Sequence, residues 1–135
     1  MDIGWDESLA TGIKSIDDEH QRLFGYIADL ETALSKGKSK EVLTPIFDGL
    51  LEYTLFHFGH EEQLFSQYQY ANSSQHLALH DLFITNMKAL RSKFDSKGNF
   101  GVASDLLNFL TQWLIDHILG EDEKYLPLFE EKGVK

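Results

Sequence analysis

The stretch His57-Phe58-Gly59-His60-Glu61-Glu62 constrains the fold more than any other part of the chain. The apolar residues leading into it recur at helical spacing: Ile46, Leu50, Tyr53 and His57 share one face, and Leu64 continues it beyond Glu61. His57 and Glu61 therefore sit one turn apart on the side of a helix that faces a core. A buried carboxylate without a partner costs several kcal/mol, roughly, and a buried charged imidazole fares no better. The rest of the chain must bring a cation or hydrogen-bonding groups to meet them. An imidazole and a carboxylate at this spacing can share one metal ion.

Three further helical patterns supply candidates. In the first, Ile16, His20, Leu23, Ile27, Leu30 and Leu34 step by three or four, Asp17, Asp18 and Glu19 suit a helix start, and Gly37 ends the run. The second, which contains His57, runs from near Lys40 to about Gln67, with Pro45 tolerable in an early turn. The lysine- and serine-rich residues 35–40 read as the loop before it, and residues 68–74 as a short connection after it, where Ser73 or Ser74 can cap the next helix. That third helix aligns His76, His80, Phe83, Met87, Leu90 and Phe94. After a loop at residues 96–99, the fourth aligns Leu106, Leu110, Trp113 and His117, with Leu107 and Leu114 alongside, up to Gly120. Residues 1–15 show no sustained period, but Ile3, Trp5, Leu9 and Ile13 suit an arm lying on a core. The tail holds a helical turn or two around Pro127, with Tyr125, Leu128 and Phe129 facing inward.

Short loops demand antiparallel neighbours, so the predicted fold is all-α: an up-down-up-down antiparallel four-helix bundle with an N-terminal arm and a short C-terminal helix, in one domain over 1–135. In such a bundle the start of the first helix, the end of the second, the start of the third and the end of the fourth meet at one end. His20, His57, Glu61, His76, His80, His117 and Asp122 occupy those places, and together they read as a metal site.

The chemistry of that site is narrowed by composition. The chain has no cysteine, so any metal sits on nitrogen and oxygen ligands. Its net charge is −10, with 22 acidic against 12 basic residues and no basic patch interleaved with aromatics, which argues against nucleic acid. No apolar run approaches the roughly 20 residues that cross a bilayer, and the first residues lack the character of a signal peptide, so the expectation is a cytoplasmic protein that binds no membrane. A zinc protease reading of His60-Glu61-Glu62-Gln63-Leu64 fails because a second histidine is needed where Leu64 stands. One zinc ion takes about four ligands and would strand the remaining groups in the core, so two ions are expected. Five imidazoles and two bridging carboxylates make roughly nine bonds; an oxo or hydroxo bridge leaves about one of about twelve octahedral positions open.

With those residues in view, the chain resembles the hemerythrin family in its single-domain bacterial form. The motifs are Ile16-Asp17 followed by His20, the His57 to Glu62 stretch, His76-Leu77-Ala78-Leu79-His80, and His117-Ile118 followed by Asp122 and Tyr125. The resemblance implies a cofactor of two Fe ions with an oxo or hydroxo bridge. His76, His80 and His117 would hold one iron and His20 and His57 the other, with Glu61 and Asp122 bridging. It implies reversible O2 binding for carriage, storage or local delivery, with O2 as the ligand and any protein partner unnamed. Alternatives at the same irons are a peroxidase or nitric oxide reductase-type enzyme and an O2 sensor. Bundle enzymes that activate O2 carry more carboxylates and a Glu-x-x-His pattern, and none of these five histidines has a glutamate three residues before it, so a binding protein is expected rather than an enzyme.

By spacing, Leu23, Phe24, Phe56, Trp113, Leu114 and Ile118 line an apolar pocket for O2, Leu114 and Ile118 nearest. Tyr125 is placed to hydrogen-bond a ligand carboxylate. His60, about 60° round the helix from His57, reads as solvated, as do Glu62 and the acidic tail.

Overall fold

A computed structural model describes residues 5–37, 40–97 and 100–135. Ile3 of the expected arm, and Lys38, Ser39, Gly98 and Asn99 of the two expected loops, lie outside them. Among the described residues the regular structure is helical. Helices α1 (Lys14–Ser35), α2 (Lys40–Tyr68), α3 (Ser73–Lys97) and α4 (Phe100–Gly120) are followed by a 3₁₀ turn (Asp122–Tyr125) and a short α5 (Leu126–Glu131), with another 3₁₀ turn (Glu7–Leu9) in the arm. α1 packs on α2 and α4, and α3 packs on the same two, closing an antiparallel four-helix bundle.

Each helix buries the stripe its period dictates. On α1 the buried line is Ile16, His20, Leu23, Ile27, Leu30 and Leu34; on α2 it is Leu43, Phe47, Leu50, Thr54, His57, Glu61 and Leu64. Each fully buried Leu, Ile or Phe contributes about 1.5–3 kcal/mol, so the stripes, rather than helix propensity, hold the bundle. The start of α1 is fixed from the arm, where Asp17 accepts from Thr11 N (2.8 Å), Thr11 Oγ1 (2.7 Å) and Gly12 N (3.2 Å). Its end is set by Gly37, whose φ of +64° lets the chain turn off the helix while its N–H reaches Leu34 O (3.0 Å). Close approach of α1 and α2 also uses a glycine: a Cβ on Gly49 would stand 3.2 Å from the Tyr26 ring. Pro45 costs α2 one hydrogen bond, near its start where the loss is cheapest.

Among the described residues two apolar clusters result. The larger fills the bundle with side chains from all four long helices, Leu30, Leu50, Met87, Phe94 and Leu106 among them. The smaller closes one end and joins Ile13 and Ile16 to Phe65, Tyr70, Tyr125 and Phe129, so the 3₁₀ turn and α5 act as a cap. Tyr125 and Phe129 are fully buried there, while Leu128 is half-buried. No described helix is long and apolar enough to cross a membrane.

Candidate metal centre

A layer of polar side chains touches both clusters. His76 packs against Phe65 and Tyr125 of the closing cluster, and His80 against Phe58 of the main one. The layer is delivered by helix ends: His20 comes from early α1, His57 and Glu61 from late α2, His76 and His80 from early α3, His117 from late α4, and Asp122 from the turn after it. All seven are at most 5% exposed.

The donor atoms fall into two overlapping sets. One joins Glu61, His76, His80 and His117; the other joins His20, His57, Glu61 and Asp122; within each, the potential ligand atoms lie within 4.8 Å of one another. Glu61 Oε1 stands 3.3 Å from His57 Nε2 and 3.3 Å from His80 Nε2. Asp122 spans the gap the other way, with Oδ1 3.1 Å from His76 Nε2 and 3.2 Å from His117 Nε2, and Oδ2 3.1 Å from His20 Nε2. The Nε2 atoms of His76 and His117 face each other at 2.9 Å.

These groups fit metal ions better than they fit one another. His20 Nδ1 and Nε2, Glu61 Oε1, His80 Nε2 and both Asp122 oxygens are buried with no hydrogen-bond partner among the described residues. Leaving that many polar atoms unmet costs about 1–3 kcal/mol each, more for charged groups, and a pair of cations would satisfy all of them except His20 Nδ1, which lies on the far side of its ring from Asp122. The electrostatics agree. Burial alone would raise the Asp122 carboxyl, but the facing imidazoles of His117, His20 and His76 outweigh it and hold the group well below the usual carboxylate range. Glu61 is lowered too: burial and the Asp122 charge push it up, and His57 and His80 more than offset them. Both carboxylates stay ionised and ready for a cation.

Groups around the cage orient it. Tyr125 Oη donates to Glu61 Oε2 at 2.8 Å, turning the other carboxylate oxygen toward the imidazoles. Burial foremost, then the charges of Asp122 and Glu61, hold the Tyr125 phenol well above its ordinary value, so it remains a donor. Glu19 Oε1 accepts from His57 Nδ1 at 2.7 Å and Glu62 Oε2 from His80 Nδ1 at 3.1 Å, which leaves each Nε2 free to face the cage. Sequence reasoning missed both carboxylates. Glu62, expected as solvated charge, is half-buried against His80, and His60, expected as solvated, is half-buried with Nδ1 2.7 Å from Glu19 Oε2. Each missed carboxylate sits one residue from a site residue, about 100° round its helix, where only the packing of the next helix shows what it meets.

Of the expected pocket residues, Leu23, Trp113 and Leu114 line a cavity of about 10 Å³ in the bundle beside the cage, together with Ile27, Leu50, Thr54, Phe58, Phe83 and Leu110. That is near the lower limit for holding one water, and the Thr54 hydroxyl in its wall already donates to Leu50 O (2.7 Å). Phe24 and Ile118 are buried in the same core without lining it. Phe56 is a correction: it is 59% exposed and borders grooves on the outside of α2. Lying one residue before His57 turns it about 100° off the inward line, whereas Thr54, three residues before, takes the wall.

Comparison with known proteins agrees with this arrangement. A hemerythrin HHE cation binding domain model matches residues 11–129. The chain is 34% identical over 122 residues to a bacteriohemerythrin of Pseudomonas aeruginosa strain UCBPP-PA14, covering 90% of this chain and 78% of that protein. Over 119 residues it is 30% identical to a bacteriohemerythrin of Methylococcus capsulatus, covering 88% and 89%. A solved wild-type hemerythrin matches with a TM-score of 0.84 at 27% identity, covering 92% of this chain and 95% of that one. With a bundle of this topology, a cage of these donors at its end and a family match across nearly all of the helices, the chain belongs to the hemerythrin family.

Proposed function

We propose that the chain binds O2 reversibly in the cytoplasm, at two iron ions held by His20, His57, Glu61, His76, His80, His117 and Asp122. The observation that carries this reading is the pair of donor sets sharing Glu61, which calls for two neighbouring ions rather than one. When bound, a ferrous pair with an oxo or hydroxo bridge would supply the electrons that O2 takes up on binding and returns on release.

The chain's own residues do the rest. His76, His80 and His117 hold one side and His20 and His57 the other, while Asp122 offers one oxygen to each. Tyr125 keeps Glu61 turned inward. Leu23, Trp113 and Leu114 wall the apolar cavity beside the cage, which favours a small apolar guest over water and keeps out polar reductants. This is the work of a binding protein rather than an enzyme. To test it, the purified protein is reduced without air, O2 is admitted, and the absorption spectrum is followed through repeated deoxygenation. A spectrum that returns on every cycle supports the reading; rapid autoxidation with turnover of peroxide or nitric oxide overturns it. Leu114→Ala should enlarge the cavity and hasten autoxidation, and an unchanged rate would remove Leu114 from the gate.

A further inference from the structure

We propose that Glu19 and His60 form a positioning strut for His57, so that a histidine outside the cage governs how firmly the two-histidine half holds its ion. Nothing in the seven-residue site requires either residue. Glu19 nevertheless is only 8% exposed, and its two oxygens are taken up by two imidazoles, Oε1 by His57 Nδ1 and Oε2 by His60 Nδ1, each at 2.7 Å. A carboxylate is seldom buried without such partners. The contact with His57 is a formed hydrogen bond; that with His60 is at ion-pair distance but off the line of one. His57 is thereby held in the tautomer with its proton on Nδ1, and Nε2 is left as the lone-pair donor facing Glu61.

The outer end of the strut reaches the surface. Glu19 and His60 share the wall of an open groove with Leu55, Phe56, Gly59 and Gln63. Among the described residues, the other groups against the His57 ring are Glu61 Oε1, 3.3 Å from Nε2, an edge contact with His20 at 4.7 Å and a tilted approach to Phe58 at 6.1 Å, so Glu19 is what meets it at Nδ1. Cutting the strut should therefore free the imidazole to rotate. His60 acts through Glu19 and touches no ligand atom of the cage directly, so its role is one of positioning.

The proposal rests on the two-ion reading, and the test separates the two. In metal-free protein, nitrogen–proton NMR should show a strongly downfield His57 Nδ1–H resonance that disappears in Glu19→Ala and shifts in His60→Ala. With zinc as a diamagnetic probe and a chelator in competition, Glu19→Ala should bind one of two ions about 10–100-fold more weakly, His60→Ala less so, with the other ion little changed. Glu19→Gln should restore both signals, because its carbonyl oxygen accepts the same hydrogen bond and its amide can donate to His60. If Glu19→Ala does not fold, His60→Ala carries the test, since that side chain is 26% exposed and borders an open groove. An unchanged resonance and unchanged zinc affinities in His60→Ala would overturn the strut, as would Glu19→Gln falling as far as Glu19→Ala. Wild-type protein that takes up only one ion would instead overturn the paired-ion reading, with the resonance still reporting on the strut.

Discussion

The two halves of the cage are held in different ways. On the three-histidine side the rings are wedged by aromatic packing. Phe58 lies flat on His80, with centroids 3.7 Å apart and planes 2° apart; Trp113 lies over His117 at 4.3 Å and 13°; and Phe65 meets His76 edge-on at 4.8 Å. On the two-histidine side no ring lies flat on either imidazole: Glu19 meets His57 at Nδ1 and Glu61 faces its Nε2, and His20 Nδ1 has no hydrogen-bond partner among the described residues. Packing forces are spread over many atoms and yield little to one change, whereas a single hydrogen bond is lost all at once. The three-histidine half is expected to be the firmer of the two, and the other half the one that exchanges its ion.

The hardest blow to both halves falls on what they share. Glu61 belongs to both donor sets, so Glu61→Ala should lower metal content from about two ions per chain to below one. Elemental analysis of the purified variant checks this. Retention of two ions would mean that the sets do not meet at Glu61. Metal loss should also lower the melting temperature by roughly 5–15 °C, since an ion at 100 times its dissociation constant stabilises by about 2.7 kcal/mol.

Single-side changes come next and test the asymmetry directly. His57→Ala should leave about one ion per chain, held about as tightly as in the wild type, while His80→Ala should weaken both, because its ring also packs on Phe58 in the wall of the apolar cavity. Competition against a chelator separates the outcomes. If the two variants lose equal amounts, the difference between packed and hydrogen-bonded rings has no energetic weight.

How much of this was legible in the sequence follows the same division. His20, Leu23, Ile27 and Leu30 fall on one face by period alone, and short loops force antiparallel neighbours, so the bundle and the gathering of donors at one end could be read without coordinates. Contacts that run between helices could not. Glu19 and His57 are 38 residues apart, and which carboxylate meets which ring depends on the rotation of α1 against α2. Phe56 shows the same limit in reverse: hydrophobicity and nearness to His57 suggested an inward place, but the side chain projects outward. A helical period fixes the centre of the buried stripe and leaves its edges undecided.

A smaller effect distinguishes the metal-free protein by pH. Burial acts against charge on His57, but Glu61, the Glu19 hydrogen bond and Asp122 together raise it above its ordinary 6.5. That contribution is fully present below 6.5 and is lost as pH rises through the raised value. Glu61 and Asp122 lie below their ordinary 4.5 and 3.8, so their contribution is present above those values and is lost as pH falls through the depressed ones. Protein kept in chelator should therefore be most stable between 4.5 and 6.5 and weaken as pH rises through the raised His57 value. Metal-loaded protein should gain over the same rise, because ions compete with protons for the imidazoles. Denaturant melts at several pH values check the sign; parallel curves with and without chelator would break it.

The smallest change probes the link between the cage and the cap beneath it. Tyr125→Phe keeps the ring that stacks on Phe129 at 4.7 Å and removes only the hydroxyl that donates to Glu61 Oε2. In chelated protein this leaves a buried carboxylate oxygen unmet, at about 1–3 kcal/mol, read as a lower denaturant midpoint at unchanged slope. In metal-loaded protein the freed oxygen can turn toward a cation, so the loss should shrink. Equal losses in the two states would mean that Tyr125 serves the packing of the cap and leaves the cage unaltered. A smaller loss with metal bound would show that the phenol sets which Glu61 oxygen the ions receive, so that the closing cluster helps to shape the site it covers.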